Sequence, residues 1–248
     1  NKIEKNITNK TKAILVVHLY GKPCDMDQIE YIAKKYKLKI IEDCAQAHGA
    51  KINNKTVGSF GIGCFSFYPT KNLGALGDGG AITMNDKSTY DFVKSYRNYG
   101  SEKKYYNNFI GINSRLDEMQ AGFLLCKMKH MDKINSHKRK LAKLYNKYLS
   151  DKFIKPHIND SFTEVYHIYP IRFNERDKLK EYLYKNGIGT EIHYPVPPHK
   201  QNALKHLFKD KKYPIASLIH NTILSLPISY GHSKEDIMKI IKIMNSYD

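Results

Sequence analysis

Two short apolar runs flanking one amphipathic helix constrain this chain more than any other feature. Residues 13 to 21, AILVVHLYG, form a continuous apolar stretch ending in glycine, the pattern of a strand buried on both faces in a parallel sheet. MDQIEYIAKKYK follows, with Met26, Ile29, Ile32 and Ala33 on one helical face and Asp25 placed to cap its start. LKIIEDCAQAHGA then predicts a second short buried strand, Leu38 to Ile41, running into Glu42 and Asp43. A β-α-β unit of this kind makes a parallel sheet, and such sheets gather ligands beyond the carboxyl ends of their strands, where Asp43 falls.

The stretch from Phe65 to Ile82, FSFYPTKNLGALGDGGAI, predicts two more strands, GCFSFY and GGAITM, on either side of a turn that carries Lys71. Pro69 stops the first strand, and Gly74, Gly77, Gly79 and Gly80 let backbone approach a ligand closely or adopt positive φ. A lysine held partly out of water loses some of its preference for charge, which makes its neutral amine available for Schiff-base chemistry. A plain glycine-rich hairpin accounts for this segment equally well when it is taken alone. Asp43 at a strand end, Ser66 before the turn and Lys71 inside it are together the set that pyridoxal 5′-phosphate requires. A carboxylate serves its pyridine nitrogen, a lysine its aldehyde, and hydroxyl or backbone donors its phosphate.

From Ser114 a single long helical pattern is predicted, with Leu116, Met119, Phe123 and Leu124 at core spacing and Gly122 as a place to kink. Beyond Pro156, VYHIYPIRF reads as a strand, RDKLKEYLYKNGIGT as a helix ended by Gly187, and EIHYPVPPHKQ as a proline-stiffened extended segment. KEDIMKIIKIMNSY closes the chain as an amphipathic helix suited to packing on a core. These patterns divide the chain into a large domain over residues 1–130 and a linking helix with a small C-terminal α/β domain over 131–248.

Several function classes are set aside by composition. The net charge of +17, from 41 Lys and Arg against 24 Asp and Glu, raises the question of nucleic acid. Only five of those cations are Arg, the lysines are scattered, and no nucleic-acid-binding motif accompanies them, so we expect no nucleic-acid partner. No apolar run reaches the length of a bilayer span and NKIEKNITNKTK has no apolar centre, so the expectation is a cytoplasmic protein with no membrane partner. Cys24, Cys44, Cys64 and Cys126 show no CxxC pair and no zinc-ligand spacing, which predicts buried reduced thiols and no metal.

IEDCAQAHGA followed by VGSFGIGCFSFYPTKNLGALGDGGAI resembles the DegT/DnrJ/EryC1/StrS family of sugar aminotransferases, PLP enzymes of fold type I that aminate keto-sugars carried on nucleotides. HLYGKPCDMDQI, GINSRLDEMQAG and IHYPVPPHKQ resemble the same family in the same order, so the likeness covers nearly the entire chain. It implies an α/β architecture with a mostly parallel large-domain sheet and a smaller C-terminal α/β domain. Lys71 would then form the Schiff base with the cofactor and carry the proton between cofactor and substrate. Asp43 would pair with the pyridine nitrogen, Gln46 would lie by the ring and its phenolic oxygen, and Ser66 would bind the phosphate. Asn113 would reach the cofactor phosphate of a neighbouring subunit, implying a homodimer with shared sites. The family pattern normally carries a long N-terminal stretch with a Gly-Thr phosphate-binding turn, which this chain does not contain. The resemblance therefore implies either a piece of a longer protein or a shortened chain with an incomplete phosphate cradle.

The HYPxPxH form of IHYPVPPHKQ resembles the members acting on 3-keto sugars, above all those making dTDP-3-amino-3,6-dideoxyhexoses. His193, Tyr194 and His199 would contact the sugar or its diphosphate, with L-glutamate as amino donor and surface-glycan amino sugars as the destination. A 4-keto or UDP-linked substrate, a non-catalytic scaffold and a basic polyanion-binding module stand as alternatives. Family dehydratases carry histidine where this chain has Lys71, which favours transamination. His18, Tyr20 and His48 are left unassigned, because strand-end packing explains them as well as function does.

Overall fold

The structure is a computed structural model and describes residues 2–208 and 211–247. Two compact units emerge, the first running to Asn135 and taking in Asp160–Val165, the second holding Ser136–Asn159 and the chain from Tyr166 onward.

The first unit is built on a sheet of β1 (Ala13–Val17), β2 (Lys39–Asp43), β5 (Ile62–Ser66) and β6 (Gly80–Thr83), in that spatial order. Strands β1, β2 and β5 run parallel, with Val17 opposite Asp43 and Asp43 opposite Cys64, and β6 turns back antiparallel to β5. Helix α1 (Met26–Lys35) begins where the Asp25 carboxylate accepts the Gln28 backbone N–H. Its Met26, Ile29, Ile32 and Ala33 pack with Ile14, Val16 and Ile52 into one cluster. The short strands β3 (Lys51–Ile52) and β4 (Lys55–Thr56) form a small antiparallel sheet with β9 (Phe162–Thr163), and β7 (Ser101–Lys103) pairs with β8 (Tyr106–Asn107). Helix α2 (Lys87–Tyr96), which the sequence reading did not contain, follows β6 and is capped by Asp86.

Four expectations are corrected here. Strand β1 is not buried on both faces. Successive side chains point to opposite sides of a strand, and only the Ile14 and Val16 side meets α1, leaving Leu15 63% and Val17 43% exposed. The long helix from Ser114 is two helices, α3 (Glu118–Met128) and α4 (Met131–Tyr148), separated at Lys129 and His130 rather than kinked at Gly122. On α3 only Leu124 is buried. Met119 and Phe123 stand exposed with Leu125 and Met128, because the described residues present no surface against them. The four cysteines are free thiols as expected, but Cys126, on that same helix, is exposed and only Cys44 is fully buried.

The second unit pairs β10 (Tyr169–Arg172) with β11 (Ile223–Leu226) antiparallel. Around them are α5 (Arg176–Lys185), α6 (Pro214–Thr222) and α7 (Lys234–Asn245). Leu179 and Leu183 of α5 and Ile237, Ile241 and Met244 of α7 join Tyr145 and Tyr169 in its core. Helix α7 starts from a reciprocal cap between Ser233 and Asp236, so the closing amphipathic segment packs as its pattern predicts. No helix among the described residues is long and apolar enough to cross a membrane.

Candidate active site

Parallel pairing sets the carboxyl ends of β2 and β5 side by side, and the candidate residues follow from that edge. Asp43 closes β2, where one carboxylate oxygen accepts the Ala45 backbone N–H at 3.0 Å. Lys71 lies in the connection between β5 and β6. Its backbone N–H bonds the Tyr68 carbonyl, and Ala75 N–H bonds the Phe67 carbonyl, which closes the loop on itself. Gly74 is required there, since a Cβ would lie 2.4 Å from the Pro69 carbonyl oxygen. Burial pushes the Lys71 amine below the ordinary lysine range, while the attraction of Asp43 opposes that shift. The two groups of the expected pair are thus within electrostatic reach of each other, and the amine has lost some of its preference for charge.

Gln46 is buried, and its side-chain carbonyl accepts the Tyr20 backbone N–H at 2.7 Å. Tyr20 itself has φ 61°, a left-handed conformation that turns the chain after β1. Ser66 ends β5, its hydroxyl accepting the Tyr68 N–H at 3.3 Å. Asn113 is exposed and bonded to Tyr99 Oη at 2.7 Å and to Arg115 Nε at 3.0 Å, both outside the Lys71 loop. In the second unit, His193 Nδ1 lies 2.9 Å from Ser225 Oγ, the Tyr194 carbonyl receives His220 Nδ1 at 2.6 Å, and His199 Nε2 lies 3.3 Å from Ser217 Oγ.

Two residues carry more of this site than sequence reasoning assigned them. Glu42 is fully buried, yet its carboxylate accepts N–H bonds from Gly58 at 2.7 Å, Phe60 at 2.9 Å and Gly61 at 2.8 Å, with His18 Nε2 at 3.2 Å. Burial alone would raise its pKa; the His18 bond and the backbone donors outweigh that and hold it below the usual carboxylate range. His18 accepts the Cys24 N–H on Nδ1 at 3.0 Å, which leaves the proton on Nε2 facing Glu42. His18, Glu42 and Cys44 bring one possible metal ligand each to within 4.8 Å of one another. Both ring nitrogens and both carboxylate oxygens are already occupied, and burial raises the Cys44 thiol far above its ordinary value, so the trio reads as a structural knot.

His48 is 3% exposed, its ring packed between Phe65 and Phe67 and facing the Ser66 backbone. Burial first, then the Lys71 charge, pushes its pKa down to about 4. A histidine so depressed favours the folded state fully above its unfolded value near ~6.5 and loses that advantage as pH falls toward its folded value. About 3 kcal/mol of stability should therefore disappear across that window. Urea unfolding of the protein and of His48→Leu at neutral pH and at the folded pKa measures it. Parallel losses in the two proteins would remove His48 as the cause.

A family profile described as the DegT/DnrJ/EryC1/StrS aminotransferase family matches residues 1–245. The chain belongs to this family. It is 50% identical over 248 residues to a dTDP-3-amino-3,6-dideoxy-α-D-galactopyranose transaminase of Aneurinibacillus thermoaerophilus, a match spanning 99% of this chain and 68% of that protein. A UDP-N-acetyl-3-dehydro-α-D-glucosamine 3-aminotransferase of Acidithiobacillus ferrooxidans is 42% identical over 98% of this chain and 66% of its own length. Among solved structures, Streptomyces venezuelae DesV, captured with a ketimine intermediate, superposes with a TM-score of 0.95 at 38% identity, covering 98% of this chain and 67% of that one. Bacillus subtilis NtdA, bound to PMP, gives 0.90 at 29% identity, covering 98% and 57%. This chain thus spans about two thirds of the length of the first two relatives it matches. The fold is that of the PLP-dependent aminotransferases of this family, as the sequence resemblance implied.

Members of the family depend on pyridoxal 5′-phosphate, and the donor set found here suits that group. Asp43 keeps one carboxylate oxygen beyond the bond to Ala45, and Lys71 offers a partly desolvated amine across the same strand edge.

Proposed function

We propose that this chain carries the cofactor site of an aminotransferase that moves an amino group from L-glutamate to a nucleotide-linked keto-sugar, most specifically a dTDP-3-keto-6-deoxyhexose. The observation that carries this reading is the 50% identity, across 99% of the chain, to a transaminase named for a dTDP-3-amino-3,6-dideoxy sugar. Lys71 with Asp43 at one strand edge supplies the chemistry. A UDP-linked 3-keto sugar is the second reading, favoured by the 42% identity to an enzyme that also acts at C3.

Bound PLP supplies an electron sink that makes the substrate carbon acidic. In this reading Asp43 would serve the pyridine nitrogen, Lys71 would hold the cofactor and supply the amine that moves the proton, and Gln46 would serve the ring. Ser66 holds the phosphate, and Asn113 reaches the phosphate of a neighbouring subunit in a homodimer. His193, Tyr194 and His199 take the sugar or its diphosphate. The homodimer is supported by the bare apolar surface of α3, where Met119 is 75% and Leu125 61% exposed. Soluble substrates of this class fit a cytoplasmic enzyme.

The test is the visible spectrum of the purified chain with added PLP. A cofactor band that borohydride fixes onto the Lys71 peptide, and that L-glutamate bleaches, is the expected result. Adding a dTDP-3-keto sugar should restore it. A saturating cofactor concentration that gives no fixed label on Lys71 would overturn the assignment.

A further inference from the structure

The two turns that bear Asp43 and Lys71 come from different strands, and the sheet alone does not set their separation. Asp43 opens a turn running through Gln46 and His48 to Ala50, folded by bonds from Ala47 N–H to the Cys44 carbonyl and from Ala50 N–H to the Ala47 carbonyl. Lys71 sits in the self-closed loop between Phe67 and Ala75. The side chain of Asn135, near the start of α4 and 3% exposed, hydrogen-bonds to both. Its amide nitrogen donates to the His48 carbonyl at 2.9 Å, and its amide oxygen accepts from Asn72 Nδ2 at 2.9 Å. Asn72, the residue after Lys71, is itself buried and spends its other N–H on the Val165 carbonyl at 3.0 Å. The seat for Asn135 is shaped to it. Gly49 adopts φ +79°, and a Cβ there would come within 2.9 Å of the Asn135 amide nitrogen.

We propose that Asn135 and Asn72 are positioning residues, a buried amide bridge that fixes the Lys71 loop against the Asp43 turn. The hydrogen-bond directions leave little freedom. Asn72 uses both amide hydrogens on carbonyls, so its nitrogen cannot exchange places with its oxygen, and Asn135 must then face it oxygen first. A buried network completed in this way is rigid, and a half-broken one leaves carbonyls dry and unpaired. This bridge rests on the preceding reading only in naming Lys71 as the reacting amine; its effect is on the geometry of the protein without cofactor.

The experiment therefore reads Lys71 itself. Competitive acetylation of the cofactor-free chain across a pH series, with the label quantified on the Lys71 peptide by mass spectrometry, gives the midpoint of that one amine. Exposed Lys87 serves as internal reference. In Asn135→Ala the loosened loop should wet the amine, and its midpoint should move up by about half a pH unit or more, toward that of an ordinary lysine. Lys87 should not move. Asn135→Asp keeps the acceptor for Asn72 but loses the donor to His48, so it should not rescue the midpoint. Asn72→Ser cuts the link from the other side and should reproduce the shift, and it stands in for Asn135→Ala should that variant fail to fold. An unchanged Lys71 midpoint in folded variants, judged by circular dichroism, would overturn the bridge as a positioning device. A shifted midpoint in a chain that never performs amino transfer would leave the bridge standing while the activity reading falls.

Discussion

Lys71→Ala is expected to lower amino transfer by about 10³-fold or more while leaving the fold intact. In the proposed reading the loss has two sources, because the amine would both hold the cofactor and move the substrate proton, and proton transfer alone is worth roughly 10²–10⁴-fold. Stability should barely change, since the side chain is only half-buried and forms no ion pair among the described residues. Lys71→Arg should not restore activity, for a guanidinium stays charged and cannot act as a neutral nucleophile. Steady-state rates with L-glutamate and a dTDP-3-keto sugar, measured beside thermal midpoints, decide the matter. Turnover retained within tenfold would remove Lys71 from its assigned role.

Glu42→Gln is expected to be the most damaging single-atom change to stability, by about 2–4 kcal/mol. The carboxylate receives three backbone N–H groups and one imidazole N–H. An amide can serve the two donors at Oε1, but its own N–H₂ then points at the Gly58 N–H and at His18. His18 cannot offer a lone pair in return without giving up the bond from Cys24. The variant's urea midpoint should fall at neutral pH, and the gap should narrow in acid. The folded pKa of Glu42 is depressed, so its contribution is present above the unfolded value and is lost as pH falls through the folded one. A midpoint within experimental error of the parent's would contradict the carboxylate's structural role.

The β-α-β unit and the lysine turn were legible because each rests on local chemistry. Helix α1 has its periodicity and its Asp25 cap, and the turn has Pro69 and its glycines. Glu42 was visible as a strand-end acid, but its three donors arrive 16 to 19 residues later, and no local pattern announces a long-range carboxylate cage. Asn135 was hidden more thoroughly. It lies in the polar half of a helical pattern, where an asparagine reads as solvent-facing, and only the tertiary approach of Gly49 and Asn72 buries it. Met119 and Phe123 misled in the opposite direction, since apolar spacing reports a need for burial without saying what supplies it.

The return of Asp160–Val165 to the first unit has a consequence for recombination. Chain passes between the units at 135/136, 159/160 and 165/166, so a second unit grafted from a relative at one junction would bring a foreign β9 with it. That strand pairs Phe162 with Ile52 and Thr163 with Lys51, and the Val165 carbonyl just beyond it anchors Asn72. Swapping whole C-terminal halves between relatives would thus alter the support of the Lys71 loop. A chimera that keeps the parental residues 160–165 should preserve it.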